Sequence, residues 1–235
     1  MAEGERARQQ IRWLSQIREV VFGMQDGLIS SMGFVAGVHS ATADNRLVLL
    51  AGIVQMIAGA FSMAAGAYLS TKAEQEVVEG QVRAHYARYA DEPYLAQEAL
   101  VTTLEAEGLP RANAYRVVKL ISAERETFLK TFAEKVLGVG AAQERVPLSA
   151  ALLMGVSFCL GAIIVLAPYF VVVGYRALWT AIGLTAIALF GIGVAKAVLA
   201  GTRLLVSGLE FLLVAAASAA VGYLLGSLLP PGLAP

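Results

Sequence analysis

The stretch LVLLAGIVQMIAGAFSMAAGAYLS, residues 47–70, runs for 24 residues without one Asp, Glu, Lys, Arg or His. At a rise of about 1.5 Å per residue, a helix of that length covers about 36 Å, more than the roughly 30 Å of a bilayer's hydrocarbon core. Only helices and closed barrels satisfy every backbone N–H and C=O in lipid, so a run this apolar reads as a membrane-spanning helix. Four further segments are long enough to cross and largely apolar: Val20–Ala41, Pro147–Val173, Ala177–Ala200 and Leu204–Leu229. The expected fold class is therefore all-α, a polytopic membrane protein with five transmembrane helices. A slight bend is expected at Pro168, near the far end of the third span.

Composition points the same way. The chain has 235 residues, 57% hydrophobic and 15% charged, against roughly 25% charged in an ordinary soluble domain. Ten of its 18 Lys and Arg and 12 of its 18 acidic residues fall between Lys72 and Arg145. A polar insert thus follows the second span, and the chain divides into 1–70 (N-terminal segment and spans one and two), 71–146 (a helical domain) and 147–235 (spans three to five). Helix formers continue from Thr71 to about Ala90, so the second span is expected to project from the membrane. Asp91-Glu92-Pro93 reads as a stop and restart, opening a helix with Leu95, Ala99 and Leu104 that ends near Gly108. A further helix is expected from Pro110 to Gly138, with Tyr115, Val118, Ile121, Phe128, Phe132 and Val136 near one face. A three-helix insert of about 70 residues is thin for an independent core, which suggests support from a second copy.

Basic residues near span ends set orientation. Arg6, Arg8, Arg12 and Arg18 precede the first span, and Lys196 and Arg203 flank the turn between the fourth and fifth, whereas the opposite side has Arg46 and Arg176. The N-terminus and the 71–146 insert are expected in the cytoplasm. Met1–Glu19 is long and mixed in charge, unlike a signal peptide. Cys159 alone excludes an internal disulfide and reads as a packing residue. No basic stripe exists to engage nucleic acid. Neither His39 nor His85 has Glu three residues before it, so a di-iron bundle is not expected. H-E-x-x-H and nucleophile-elbow motifs are missing too, and the chain does not read as an enzyme.

Ionisable groups inside spans are costly and usually functional. Here they are Asp26 and Glu210, with Lys196 near a span end. Asp26, Ser30, Gly33 and Gly37 share a helix face, and Gln55, Gly59, Ser62, Met63, Gly66 and Ser70 form a second small and polar stripe. Close packing accounts for the glycines, including the Gly33-x-x-x-Gly37 and Gly222-x-x-x-Gly226 pairs. It does not account for Asp26 or Gln55, although a carboxylate at the water interface is an alternative for Asp26. With Met24 and Met63, Asp26 would make a mixed hard and soft site for a first-row divalent ion; plain packing is the alternative for the methionines. Glu210 reads as a snorkelling carboxylate or as a partner of Arg203 or Lys196. Glu74, Glu76, Glu79, Glu124 and Glu126 either gather ions or form a solvated acidic face.

Val21-Phe22-Gly23-Met24-Gln25-Asp26-Gly27-Leu28, followed by Gly33 and Gly37-Val38, resembles the first-span signature of the vacuolar iron transporter family. Ala58-Gly59-Ala60-Phe61-Ser62-Met63-Ala64-Ala65-Gly66-Ala67-Tyr68 resembles its second-span signature, and the Glu107-Gly108-Leu109-Pro110 turn and Leu137-Gly138 are similar too. The resemblance implies a homodimer in the lipid bilayer with five spans per subunit, and no resident cofactor. A path between subunits would carry Fe(II), often Mn(II), out of the cytoplasm in exchange for protons. It implies Asp26 as the pore carboxylate and Met63 as the pore methionine. The membrane implied is the plasma membrane in a prokaryote and the vacuolar membrane in a eukaryote.

The chain departs from that pattern. Gln55 stands where many members carry Glu, and Ala67 where bacterial relatives carry Glu. Phe132-Ala133-Glu134-Lys135-Val136 replaces an expected Met-Met-x-x-Glu, and His85 and Arg88 stand near expected glutamates. The cytoplasmic metal site therefore reads as departed from the family's. The rival readings are a non-transporting membrane scaffold or regulator that keeps the fold, and a transporter of a different cation.

Overall fold

The computed structural model describes residues 2–42, 44–89, 93–138 and 146–228; the side chains of 2–12, 14, 15, 82, 85–89 and 93 are outside that description. Among the described residues the chain is all helix: α1 Ala2–Ala41, α2 Asn45–Tyr89, α3 Pro93–Ala106, α4 Arg111–Ile121, α5 Arg125–Lys135, α6 Pro147–Val171, α7 Tyr175–Ala200 and α8 Leu204–Leu228. Five of them contain stretches long and apolar enough to cross a membrane: Gln16–Ala41, Asn45–Gln81, Pro147–Val171, Tyr175–Ala200 and Leu204–Leu228. The five-span reading holds, with α3, α4 and α5 as the three-helix insert between the second and third spans. The expected stop at Asp91-Glu92 and the last span residue, Leu229, lie outside the described residues.

Two compact units divide the chain, Met1–Tyr68 with Leu148–Pro235, and Leu69–Pro147. In the first, a core forms from Leu28, Met32, Val35 and Ala36 of α1, Val48 of α2, Val165, Leu166 and Tyr169 of α6, Ala177, Leu178, Ala181 and Leu189 of α7, and Phe211 and Ala215 of α8. Glycines bring α1 close to two neighbours on two faces. A Cβ at Gly27 would fall 2.2 Å from the Phe158 carbonyl oxygen of α6. A Cβ at Gly222 or Gly226 of α8 would fall 1.9 Å from the Gly33 oxygen or 2.0 Å from the Gly37 oxygen. The two Gly-x-x-x-Gly pairs therefore meet each other within one chain, and small residues bring these backbones together as van der Waals packing in lipid requires. Ser218 Oγ donates to the Ile29 carbonyl at 3.0 Å, and Ser40 Oγ to that of Tyr223 at 3.0 Å, across the same pair.

Asn45 closes the far end of this unit. Its Nδ2 donates to the Val172 carbonyl at 2.7 Å and its Oδ1 accepts from Gly174 N at 3.0 Å. The first bond satisfies a carbonyl that the end of α6 leaves without a helical partner. Asp44 Oδ1 accepts Arg46 N at 2.8 Å, an N-cap for α2. Gly201, at φ 65°, ends α7 in the left-handed conformation that lets the chain turn into α8.

In the second unit, the helix expected from Pro110 to Gly138 is two helices. Ser122 caps α4, Glu124 turns extended (φ −110°, ψ 103°), and α5 restarts at Arg125. The reason is packing. Val118 and Phe132 both belong to one small core with Ala96, Leu100, Val101 and Ala114, yet 14 residues of straight helix would hold them about 21 Å apart. The break folds α5 back. Tyr115, expected near the same face as Val118 and Phe132, is exposed, as is Leu95.

Candidate metal-binding groups

Asp26 sits on α1 about ten residues into the span that begins at Gln16. It is half-buried, and among the described residues no side chain donates to its carboxylate. Its backbone carbonyl accepts from Ser30 Oγ at 2.6 Å, so that hydroxyl is partly committed to the helix itself. Met24 is half-buried against the main core. Met63 is half-buried on α2.

Gln55 is held across the α1–α2 crossing. Its Oε1 accepts Ser31 Oγ at 3.0 Å, and its Nε2 reaches Ser30 Oγ at 3.5 Å. Sequence reasoning had placed Gln55 and Ser30 on functional faces but missed Ser31, which lies one position off the Asp26 stripe; the adjacent Ser30-Ser31 pair was the available signal. Gln55 also lines an open, apolar groove of about 1000 Å³ between α1, α2 and α8, floored by Gly33, Gly37, Gly222 and Gly226.

The remainder of the α2 stripe turns outward. Ser62, Gly66 and Ser70 are exposed, and a Cβ at Gly66 would meet nothing within 4 Å. Only 17% of the most apolar window of α2 is buried within the chain, against 44% for α1 and 56% for α6. Glu210 is exposed on α8. Among the described residues it pairs with neither Arg203 nor Lys196, the partners one reading of the sequence offered; Lys196 Nζ lies instead over the Phe211 ring, 5.4 Å from its centre. Successive positions on a helix point about 100° apart, so Phe211 turning inward carries Glu210 away.

In the insert, Glu74, Glu76 and Glu79 are exposed on α2, while Thr71 and Val78 are buried. Lys72 Nζ lies 3.8 Å from Glu76. Glu124 is the exposed N-cap of α5 and Glu126 is in its first turn. The side chain of His85 lies outside the described residues. The insert's clear ion pairs use other acids: Arg111 bridges Glu98 and Glu105, and Lys135 meets Glu107 at 2.7 Å. Glu98 and then Glu105 hold the Arg111 guanidinium above its ordinary pKa by hydrogen bond and charge. Phe132 and Ala133 are buried at 3% and 5% exposure. The positions of the expected methionine pair therefore serve this insert as core. Among the described residues no three His, Cys, Asp or Glu side chains gather closely enough to hold an ion.

Comparison with known proteins places these groups in context. A sequence profile described as the VIT family matches residues 17–227. Vacuolar iron transporter 1 of Oryza sativa subsp. japonica is 26% identical over 208 residues, covering 88% of this chain and 82% of that protein. Vacuolar iron transporter 1 of Arabidopsis thaliana is 28% identical over 221 residues, covering 89% and 84%. A vacuolar iron transporter of Toxoplasma gondii is 28% identical over 155 residues, covering 65% of this chain and 51% of that protein.

Proposed function

This chain belongs to the VIT family, and from that premise we propose that it carries divalent metal ions, Fe(II) foremost and Mn(II) with it, out of the cytoplasm across a membrane. The observation that carries this reading is Asp26, half-buried inside a span, with no donor on its carboxylate among the described residues. A carboxylate so placed is costly unless something compensates its charge. A divalent ion leaving water has the complementary need, because attraction to a negative charge grows as the dielectric falls.

The path is shared between two copies of the chain. A hard divalent ion takes several oxygen donors, and a two-fold axis would bring a second Asp26, Met24 and Met63 to the same ion. Exposed Ser62, Gly66 and Ser70 on α2 support this, since a face turned only to lipid would more naturally carry large apolar side chains. Gln55, braced by Ser31, offers an amide oxygen but no titratable group. Proton exchange therefore falls to Asp26. The N-terminus and the 71–146 insert face the cytoplasm, and the insert's Glu74, Glu76, Glu79, His85, Glu124 and Glu126 collect ions weakly. The host membrane is vacuolar in a eukaryote and the plasma membrane in a prokaryote.

Flux of Fe(II) and Mn(II) into proteoliposomes tests the reading. Wild-type protein should exceed protein-free vesicles, and Asp26→Asn should lose the flux while inserting and assembling normally. Wild-type flux in Asp26→Asn removes Asp26 from the path. Protein-free behaviour of the wild type favours a non-transporting scaffold.

A further inference from the structure

At the end of the bundle where α2 and α6 lead into the insert, α1, α7 and α8 leave an open groove of about 390 Å³. Its walls are mostly apolar, with Val21 and Phe22 from α1, Leu199 from α7 and Phe211 from α8, and Gln25 of α1 among them. Two cations also line it, Arg18 from α1 and Lys196 from α7. They stand near opposite sequence ends of their spans, and the antiparallel course of the two helices brings them to one mouth.

Among the described residues Lys196 meets no carboxylate and Arg18 meets one. Lys196 Nζ lies 5.4 Å from the centre of the Phe211 ring, a cation–π contact that holds the ammonium against the apolar wall without neutralising it. Among the described residues no carboxylate pairs with it. Arg18 Nη2 meets Glu19 Oε1 at 3.0 Å, with the Glu19 side chain only 9% exposed against 62% for Arg18. That buried carboxylate balances the Arg18 charge but engages only one corner of a guanidinium that has five donors, and among the described residues no other acceptor meets the rest. Glu210, beside Phe211, is exposed but does not line the groove.

Depth narrows the choice of occupant. Trp13 on α1 is 53% exposed, and exposed Trp favours the headgroup level. Arg18 lies about 7.5 Å further along the helix, where phosphates give way to acyl chains. A soluble phosphate would use the cations and leave the apolar walls wet. A neutral lipid would cover the walls and leave the Lys196 ammonium without a counterion. A zwitterionic headgroup would bring a positive charge toward Arg18 and Lys196.

We propose that this groove binds an anionic phospholipid of the leaflet on the insert's side. Its phosphate bridges Arg18 and Lys196, and an acyl chain lies along Val21, Phe22 and Leu199. Basic pockets between spans are suited to such headgroups, each nearby Lys or Arg contributing to the attraction.

Native mass spectrometry of the purified full-length chain tests this, with phosphatidylglycerol, phosphatidylcholine of the same acyl chains, and glycerol 1-phosphate as probes. The wild type should retain phosphatidylglycerol about tenfold more tightly than phosphatidylcholine and should not retain glycerol 1-phosphate. Arg18→Gln/Lys196→Gln should bring the preference close to unity. Arg18→Lys/Lys196→Arg, and Arg46→Gln/Arg176→Gln at the opposite end, should keep it. If the double variant fails to fold, exposed Lys196→Gln alone should lower the preference by about threefold. Equal retention of the two lipids by the wild type overturns the proposal, as does an undiminished preference in the Gln variants. Glycerol 1-phosphate held as tightly as phosphatidylglycerol overturns it too, in favour of a soluble anion.

Discussion

Gly222→Ala should force α1 and α8 apart, although it adds one methyl group. The new Cβ would lie 1.9 Å from the Gly33 carbonyl oxygen and 2.7 Å from its carbon, where ordinary contact begins at 3.4 Å. The obstacle is the backbone of a packed helix, so no side chain can rotate out of the way. The helices must separate by about 1.5 Å locally. Separation also stretches the Ser218–Ile29 and Ser40–Tyr223 hydrogen bonds. Overpacking of this kind costs about 1–3 kcal/mol, and each interhelical hydrogen bond in a membrane contributes about 0.6 kcal/mol. The better helix propensity of Ala returns about 1 kcal/mol. A net loss of about 1–3 kcal/mol is expected. Reversible unfolding of the purified chain in mixed micelles would measure it, with Gly191→Ala as the control, since a Cβ there meets nothing within 4 Å. Transport should fall as well, because α1 carries Asp26. If Gly222→Ala unfolds with the same midpoint as Gly191→Ala, the close α1–α8 crossing is wrong.

Gly66→Leu adds a side chain where the chain itself offers nothing within 4 Å, so the subunit fold should survive while dimer crosslinking and flux both drop; undiminished crosslinking would leave this face to lipid. Glu74→Gln/Glu76→Gln/Glu79→Gln in the full-length chain should change Mn(II) affinity by less than about threefold, because high affinity needs several carboxylates converging on one ion. A larger loss in calorimetry would show a rebuilt insert site. Phe132→Ala removes a large side chain from the small insert core and should cost about 3–5 kcal/mol there. Limited proteolysis should then cut within 93–138 while the spans stay intact, and an unchanged cleavage pattern would refute that core.

The five spans were legible, to within a few residues at most of their ends. Val20–Ala41 and Leu47–Ser70 fall inside α1 and α2, and Pro147, Ala200 and Leu204 are helix ends as expected. Length and hydropathy are properties of a segment taken alone, and the bilayer sets the threshold they must pass. The first signature also singled out Asp26, because a carboxylate within an apolar run stands out with no knowledge of its neighbours.

Which way each span faces was decided only by tertiary structure. In water, the apolar stripe of a helix marks its buried side. In lipid the surroundings are as apolar as the protein interior, so that contrast disappears. Nothing local therefore told that Gly33 and Gly37 would meet Gly222 and Gly226, that Ser31 would brace Gln55, or that Lys196 would lie over Phe211. The break at Ser122–Glu124 was hidden for a related reason. A continuous helix satisfies the local pattern from Pro110 to Gly138, and only the need to bring Phe132 onto Val118 and Leu100 requires the chain to turn back.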